Sequence, residues 1–506
     1  MALLQINTKY GAIRGVHAGN PKISVFKGIP YAKPPVGELR WRPPQEPDKW
    51  EKELLAYDYR AVPCQVPQPE WEAQNGIDSF EMSEDCLYLN VWTPAVSSQE
   101  RLPVVIYIYG GAFKFGAASS PVIKGEALAE AGLVFVSFNY RLGPLGYLCH
   151  EELSAESVYS ISGNYGSQDQ IAAIRWVYEN IAAFGGDPDN IGIMGHSAGA
   201  YSATSMCNTP HTKGIIKRAL ILSTAGLSAL YYNERMSMKQ AEDEGREFLN
   251  ILGVSSIAQA RQLPAMEITR KLFDIKLSGK SPWFPKIDGY IFEDDAVTSI
   301  MKGKQHKIPY LIGCTEDETG SMPGFMSSVS RHSVSNFAKA IFPEDPDGYL
   351  ASVDLSTETA IYQTIFNEYA NDKLCAILGW QQLEMNRKGD LAYTYFFTKD
   401  APEAGDDHHG AYHGSELPLI FDTMTREGRP YTGSHFELSV MMRSYFANFL
   451  KTGDPNSAGL PKWRKPTVSI YEFLELGDQV GMVNIARTEN RAFVVDYMIK
   501  QAEKAK

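Results

Sequence analysis

No apolar run in this chain approaches the ~18 residues of a membrane-spanning helix, so no membrane span is expected. Residues Met1 to Ile6 lack the basic patch and the apolar stretch of about 7–15 residues that mark a secretory signal, which implies a cytoplasmic protein. There is no basic run, and 60 acidic residues outnumber 48 Lys and Arg for a net charge of −12, which argues against nucleic acid as a partner. The six cysteines, Cys64, Cys86, Cys149, Cys207, Cys314 and Cys375, show no C-x-x-C spacing, so no metal site is expected and reduced thiols are the default. No internal repeat, low-complexity tract or clear linker stands out.

What is present is the material for a large core: 44% of the 506 residues are hydrophobic and 21% charged. Short strands are expected at Leu4–Thr8, Gly11–Gly15 and Ile23–Gly28, then at Leu87–Trp92, Pro103–Tyr109 and Leu133–Tyr140. Ile171, Ile174, Val177, Ile181 and Phe184 recur at helical spacing within Gln168–Phe184. Further strands at Ile191–Met194, Ala219–Ser223, Ile308–Gly313 and Leu391–Phe397 are separated by helical patterns at 236–252 and 357–387. A helix from Glu437 to Lys451 should stop at Gly453-Asp-Pro455. This alternation predicts an α/β fold with a doubly wound, mostly parallel central sheet and helices on both faces. It reads as a single domain over 1–506, with a small surface loop at 61–85 and helical insertions at about 228–300 and 320–388.

The chemistry begins at Gly195-His-Ser-Ala-Gly199. An apolar strand precedes it and small, helix-compatible residues follow, so the order is strand, sharp turn, helix. Glycines stand where a Cβ would clash, and Ser197 is held at the tip, at a helix N-terminus whose dipole favours negative charge. A serine hydroxyl needs a base, and the base needs an acid to fix its tautomer. Ten histidines are present and six lie beyond residue 300; His413 competes with His408 and His409. Glu316, Asp317 and Glu318 all follow the strand Ile308–Gly313 and compete as the acid. Backbone N–H groups must also face the developing oxyanion, each worth ~2.7–4 kcal/mol of barrier. Tyr109-Gly-Gly-Ala-Phe113 follows an apolar strand with small residues, and Ala198 follows the serine, so both can supply donors.

These motifs resemble the type-B carboxylesterase/lipase family, α/β-hydrolases that include bacterial para-nitrobenzyl esterases. The likeness runs through Phe26–Gly37, Ser83–Asn90, Tyr109–Phe113, Asn139–Gly146, Gly163–Asp169, Phe184–Pro188 and the serine turn. It implies Ser197, Glu318 and His413 as catalytic triad and Gly111, Ala112 and Ala198 as oxyanion donors, with Gly110 shaping the turn and Ser223 supporting the acid. It implies structural ion pairs Arg141–Asp169 and Arg40–Glu84. Cys64 and Cys86 match a disulfide of secreted relatives, against which stand reduced thiols. Phe113, Trp283 and Phe284 are candidates for the substrate pocket or for core packing.

Three positions depart from the family pattern. His196 replaces a usual glutamate and is either a second base or a packing residue turned from Ser197. Ala112 and Thr319 replace glycines. The resemblance implies a serine carboxylesterase that needs no cofactor and acts on small to medium soluble esters, as a monomer or homodimer. The same triad serves a lipase or an amide, lactone or carbamate hydrolase, although residues 61–85 are too short for a large lid. A non-catalytic relative would typically have lost a triad member.

Overall fold

The computed structural model describes residues 2–66, 81–224, 237–274, 283–294, 296–319, 330–403, 410–426, 428–467 and 469–504. The chain divides into two compact units, Met1–Arg218 with Arg235–Asp295 and Ala219–Glu234 with Ala296–Lys506.

In the first unit the strand order is Gly186–His196, Leu102–Ile108, Val134–Phe138, Tyr88–Thr93, Ser24–Pro30, Val16–His17. The first three pair in parallel, and pairing outward from Val134–Phe138 is antiparallel. All five residues of Val134–Phe138 are buried, as expected for a strand covered on both faces. Gln5–Thr8 and Gly11–Arg14 form the predicted antiparallel entry. The helix Tyr165–Asn180 tightens into a 3-10 turn, Ile181–Phe184, and ends at left-handed Gly185. The five apolar residues that predicted it are all buried.

In the second unit the order is Ile216–Leu222, which enters this unit at Ala219, then Tyr310–Thr315, Tyr393–Phe397, Glu472–Leu476, Val480–Asn484. The first four pair in parallel and the last antiparallel. Helices Arg331–Ile341, Pro346–Ser352 and Glu358–Arg387 fill the stretch between Tyr310–Thr315 and Tyr393–Phe397. The helix predicted from Glu437 begins earlier, at Gly433, because Thr432 and His435 cap each other's backbone N–H groups. Histidine in place of Glu or Gln hid that box. The helix stops at left-handed Gly453, as predicted.

The described start of the segment expected as a surface loop at 61–85 lies in the interior: Val62, Cys64 and Gln65 are buried. Val62–Pro63 pairs in parallel with Met82–Ser83. The Gln65 side-chain amide takes the Gly116 N–H at 2.8 Å and donates to the Gly116 carbonyl at 3.1 Å, so a polar residue is satisfied inside. Residues 67–80 lie outside the described residues. Among the described residues, no helix is long and apolar enough to cross a membrane.

Candidate active site

The strand Gly186–His196 leads directly into Ser197 and then the helix Ala198–Met206. Ser197 has φ 58° and ψ −126°, a conformation that costs on the order of 1–3 kcal/mol for a residue with a Cβ. The strain is imposed by close packing. A Cβ on Gly195 would run into the Gly199 carbonyl, and one on Gly199 into the carbonyl of Ile108. The two glycines therefore let strand and helix approach, and the serine between them is forced outward.

Gly110 lies against this turn, since a Cβ there would stand 2.8 Å from both the His196 carbonyl and Ser197 Cβ. Beyond it Gly111, Ala112 and Phe113 all have positive φ, at 112°, 51° and 60°. The Gly111 carbonyl accepts from the N–H of Lys114 and of Phe115, closing the turn. Among the described residues, no acceptor is paired with the N–H of Gly111, Ala112 or Ala198. Three backbone donors suited to a developing oxyanion are thus present on two segments joined at Gly110. His196 is buried.

In the other unit the three candidate acids are sorted by burial. Glu318 is fully buried, whereas Glu316 and Asp317 are not. The Thr315 N–H donates to Glu318 Oε1 at 3.1 Å. Glu318 Oε2 receives Lys373 Nζ at 2.8 Å and His413 Nδ1 in a short bond. Burial pushes the Glu318 pKa up, but the Lys373 ammonium and His413 outweigh it and hold the carboxyl well below the usual range. Asp317 acts elsewhere. Its carboxylate accepts the Ala411 N–H at 3.0 Å and its own N–H donates to the Ala411 carbonyl, which ties the histidine loop to the acid loop. His413 has its pKa lowered by burial and then by Lys373, with Glu318 opposing. The competing His408 and His409 lie outside the described residues.

A strained serine turn and a buried glutamate bonded to a histidine are chemistry that suits a serine hydrolase, and comparison with known proteins gives the family. The model of the carboxylesterase family matches residues 2–494. The chain belongs to the carboxylesterase family. It is 30% identical over 501 residues to a para-nitrobenzyl esterase of Bacillus subtilis, covering 96% of this chain and 97% of that one. It is 30% identical over 491 residues to a fumonisin B1 esterase of Sphingopyxis macrogoltabida, covering 94% and 86%. Among solved structures, a PNB esterase superposes with TM-score 0.80 at 29% identity over 97% of this chain and 99% of that one. A Geobacillus stearothermophilus carboxylesterase gives 0.79 at 31% identity over 97% and 100%. The fold is the α/β-hydrolase fold that the family resemblance implies, and the carboxylesterase is a carboxylic ester hydrolase.

The aromatic candidates separate. In this carboxylesterase Phe113 is buried, with its ring 5.0 Å from Phe284 and 5.9 Å from Tyr201 on the serine helix. Trp283 is buried edge-on to Phe248, and its indole N–H donates to the Leu272 carbonyl at 3.1 Å. The ion pairs form as expected: Arg141 grips Asp169 with two 2.8 Å bonds and Arg40 grips Glu84 with two of 2.6 Å. All six cysteines are buried and unbonded, Cys64 and Cys86 among them.

Two residues of the site escaped sequence reasoning. Lys373 is one, and Glu416, three residues past His413, is the other. Glu416 is fully buried, and burial and then the Glu318 charge push its carboxyl up to about 8. Ser223, whose N–H donates to the Gly313 carbonyl at 2.8 Å, gives its hydroxyl to Glu416 at 3.3 Å. Its hydroxyl therefore meets Glu416, while its backbone meets the acid strand. The Asp372-Lys373 charge pair, set directly before the apolar run Leu374–Leu378, was the available signal for a buried lysine.

Proposed function

We propose that the carboxylesterase works by two-step acyl transfer with Ser197 as nucleophile, His413 as base and Glu318 as the acid that fixes it. His413 takes the hydroxyl proton as Ser197 attacks the ester carbonyl, then passes it to the leaving alcohol. Water repeats the sequence on the acyl-enzyme. The N–H groups of Gly111, Ala112 and Ala198 receive the oxyanion. The observation that carries this reading is the glutamate–histidine pair: Glu318 binds Nδ1, which leaves Nε2 of His413 as the basic nitrogen. The substrates are small to medium soluble esters; likeness to a para-nitrobenzyl esterase and the Phe113–Phe284 aromatic pair support compact acyl or alcohol groups. Six unbonded, buried cysteines support a reducing, cytoplasmic setting.

The test is hydrolysis of para-nitrophenyl esters from acetyl to palmitoyl by wild type and Ser197→Ala. Turnover on short chains that falls about 10,000-fold or more in the variant, with its unfolding curve unchanged, is the expected result. Retained activity in Ser197→Ala sinks the assignment.

A further inference from the structure

Acyl transfer by Ser197, His413 and Glu318 gives no role to a buried cation that touches both the acid and the base. Lys373 lies midway along the helix Glu358–Arg387 with its side chain 1% exposed. Its Nζ is 2.8 Å from Glu318 Oε2 and 3.1 Å from His413 Nδ1. A buried ammonium is costly, and an apolar residue of similar shape often replaces such an ion without loss. A lysine kept at this point needs a reason beyond packing.

The proton count supplies one. Nδ1 of His413 carries its hydrogen when it donates to Glu318, so it cannot then accept from Lys373. In that tautomer the ammonium bonds Oε2 and faces the imidazole simply as a positive charge. When His413 takes a proton from the serine, a second cation forms beside the first, and both draw on one carboxylate oxygen. Among the described residues of its unit, the charged and titratable groups around His413 are Glu318, Lys373, Glu416 on its own loop and Asp317 across the paired strand segment. Asp372 is buried next to Lys373, and Cys314 and Tyr395 lie near Glu318 with their pKa values raised by burial. Among the described residues of this unit, Lys373 is the cation within hydrogen-bonding distance of the imidazole.

We propose that Lys373 is a positioning residue that shares Glu318 Oε2 with His413 and keeps the imidazole a weaker base, and its conjugate acid a stronger proton donor, than a glutamate–histidine pair alone. The proposal rests on the assignment of Glu318 and His413 as acid and base. Its effect is to hold His413 neutral, and the enzyme active, further into acid.

The experiment is the pH profile of kcat/KM on para-nitrophenyl acetate for wild type, Lys373→Met, Lys373→Arg and His413→Ala. The acid limb reports His413 in the free enzyme. In wild type it should lie below the ordinary imidazole value of about 6.5. Removing the ammonium should move it up by about one pH unit or more, and arginine should hold it near wild type. A limb unmoved in Lys373→Met, with only the plateau lowered, overturns the proposal, as does an arginine variant that behaves like methionine. If Lys373→Met does not fold, Lys373→Gln is read in the same way, and a limb unmoved from wild type overturns the proposal. Wild-type activity in His413→Ala is a separate failure, that of the underlying assignment.

Discussion

At Ser197 the geometry is held by what is missing, whereas around Glu318 it is held by charge. The serine turn depends on Gly195 and Gly199, whose absent Cβ atoms let carbonyls of the neighbouring helix and strand come close. Every group involved is backbone, and the key residues are consecutive. The acid–base cluster is the reverse. Glu318 reaches 55 residues to Lys373 and 95 to His413, and its bonds to both are made by side chains. Steric constraint makes the first rigid but insensitive to pH. Electrostatic balance makes the second adjustable, because each proton changes what its neighbours prefer.

The same difference explains what was legible in the sequence. Five consecutive residues announced the serine turn because local backbone sterics leave few alternatives. The three acids after Tyr310–Thr315 were equivalent as letters. They differ in what they face: Asp317 is spent on Ala411, Glu318 on Thr315, Lys373 and His413. That distinction exists only after distant segments meet, and likeness to a family stood in for it. Lys373 went unread because lysine in a helix defaults to solvent. The strands and helices were legible by periodicity, with ends shifted where a cap such as Thr432–His435 used an unexpected residue.

The comparison breaks most visibly at Gly195. Gly195→Ala adds a methyl against the backbone of Gly199 and Ala200, atoms that no rotamer change can move aside. The expected cost is about 3 kcal/mol or more of stability, read by urea unfolding, together with loss of esterase activity. A stable, active Gly195→Ala protein would show that the turn is not sterically held.

The charged half is tested by Glu416, whose carboxyl is pushed the opposite way from that of Glu318. Its folded-state pKa of about 8 exceeds the ordinary 4.5, so the fold favours the protonated form. That stability is fully present below pH ~4.5 and is lost as pH rises through about 8. Glu416→Gln stays neutral throughout. Its stability relative to wild type should therefore improve between pH 5 and pH 8.5 by about 2 kcal/mol or more. Thermal unfolding of both proteins at the two pH values measures this, and a constant difference removes Glu416 from the electrostatic balance. Glu318 titrates in the other sense. Its depressed pKa stabilises the fold above the ordinary carboxylate value, and that contribution is lost only as pH falls below it.

The smallest effect sharpens the boundary between the two halves. Ala112 holds φ 51° where many relatives have glycine, and a Cβ in that region costs about 1 kcal/mol. Ala112→Gly removes the strain but gives the unfolded chain about 0.4–1 kcal/mol more conformational freedom to lose. The two terms oppose each other, so stability should stay within about 1 kcal/mol. The proposed donor is the main-chain N–H, which the substitution leaves in place, so kcat/KM on para-nitrophenyl acetate should stay within about threefold. A tenfold change with stability intact would mean that the methyl group itself touches the acyl portion of the substrate. The Gly110–Phe113 turn would then select substrates as well as hold charge, a role that backbone geometry alone does not give it.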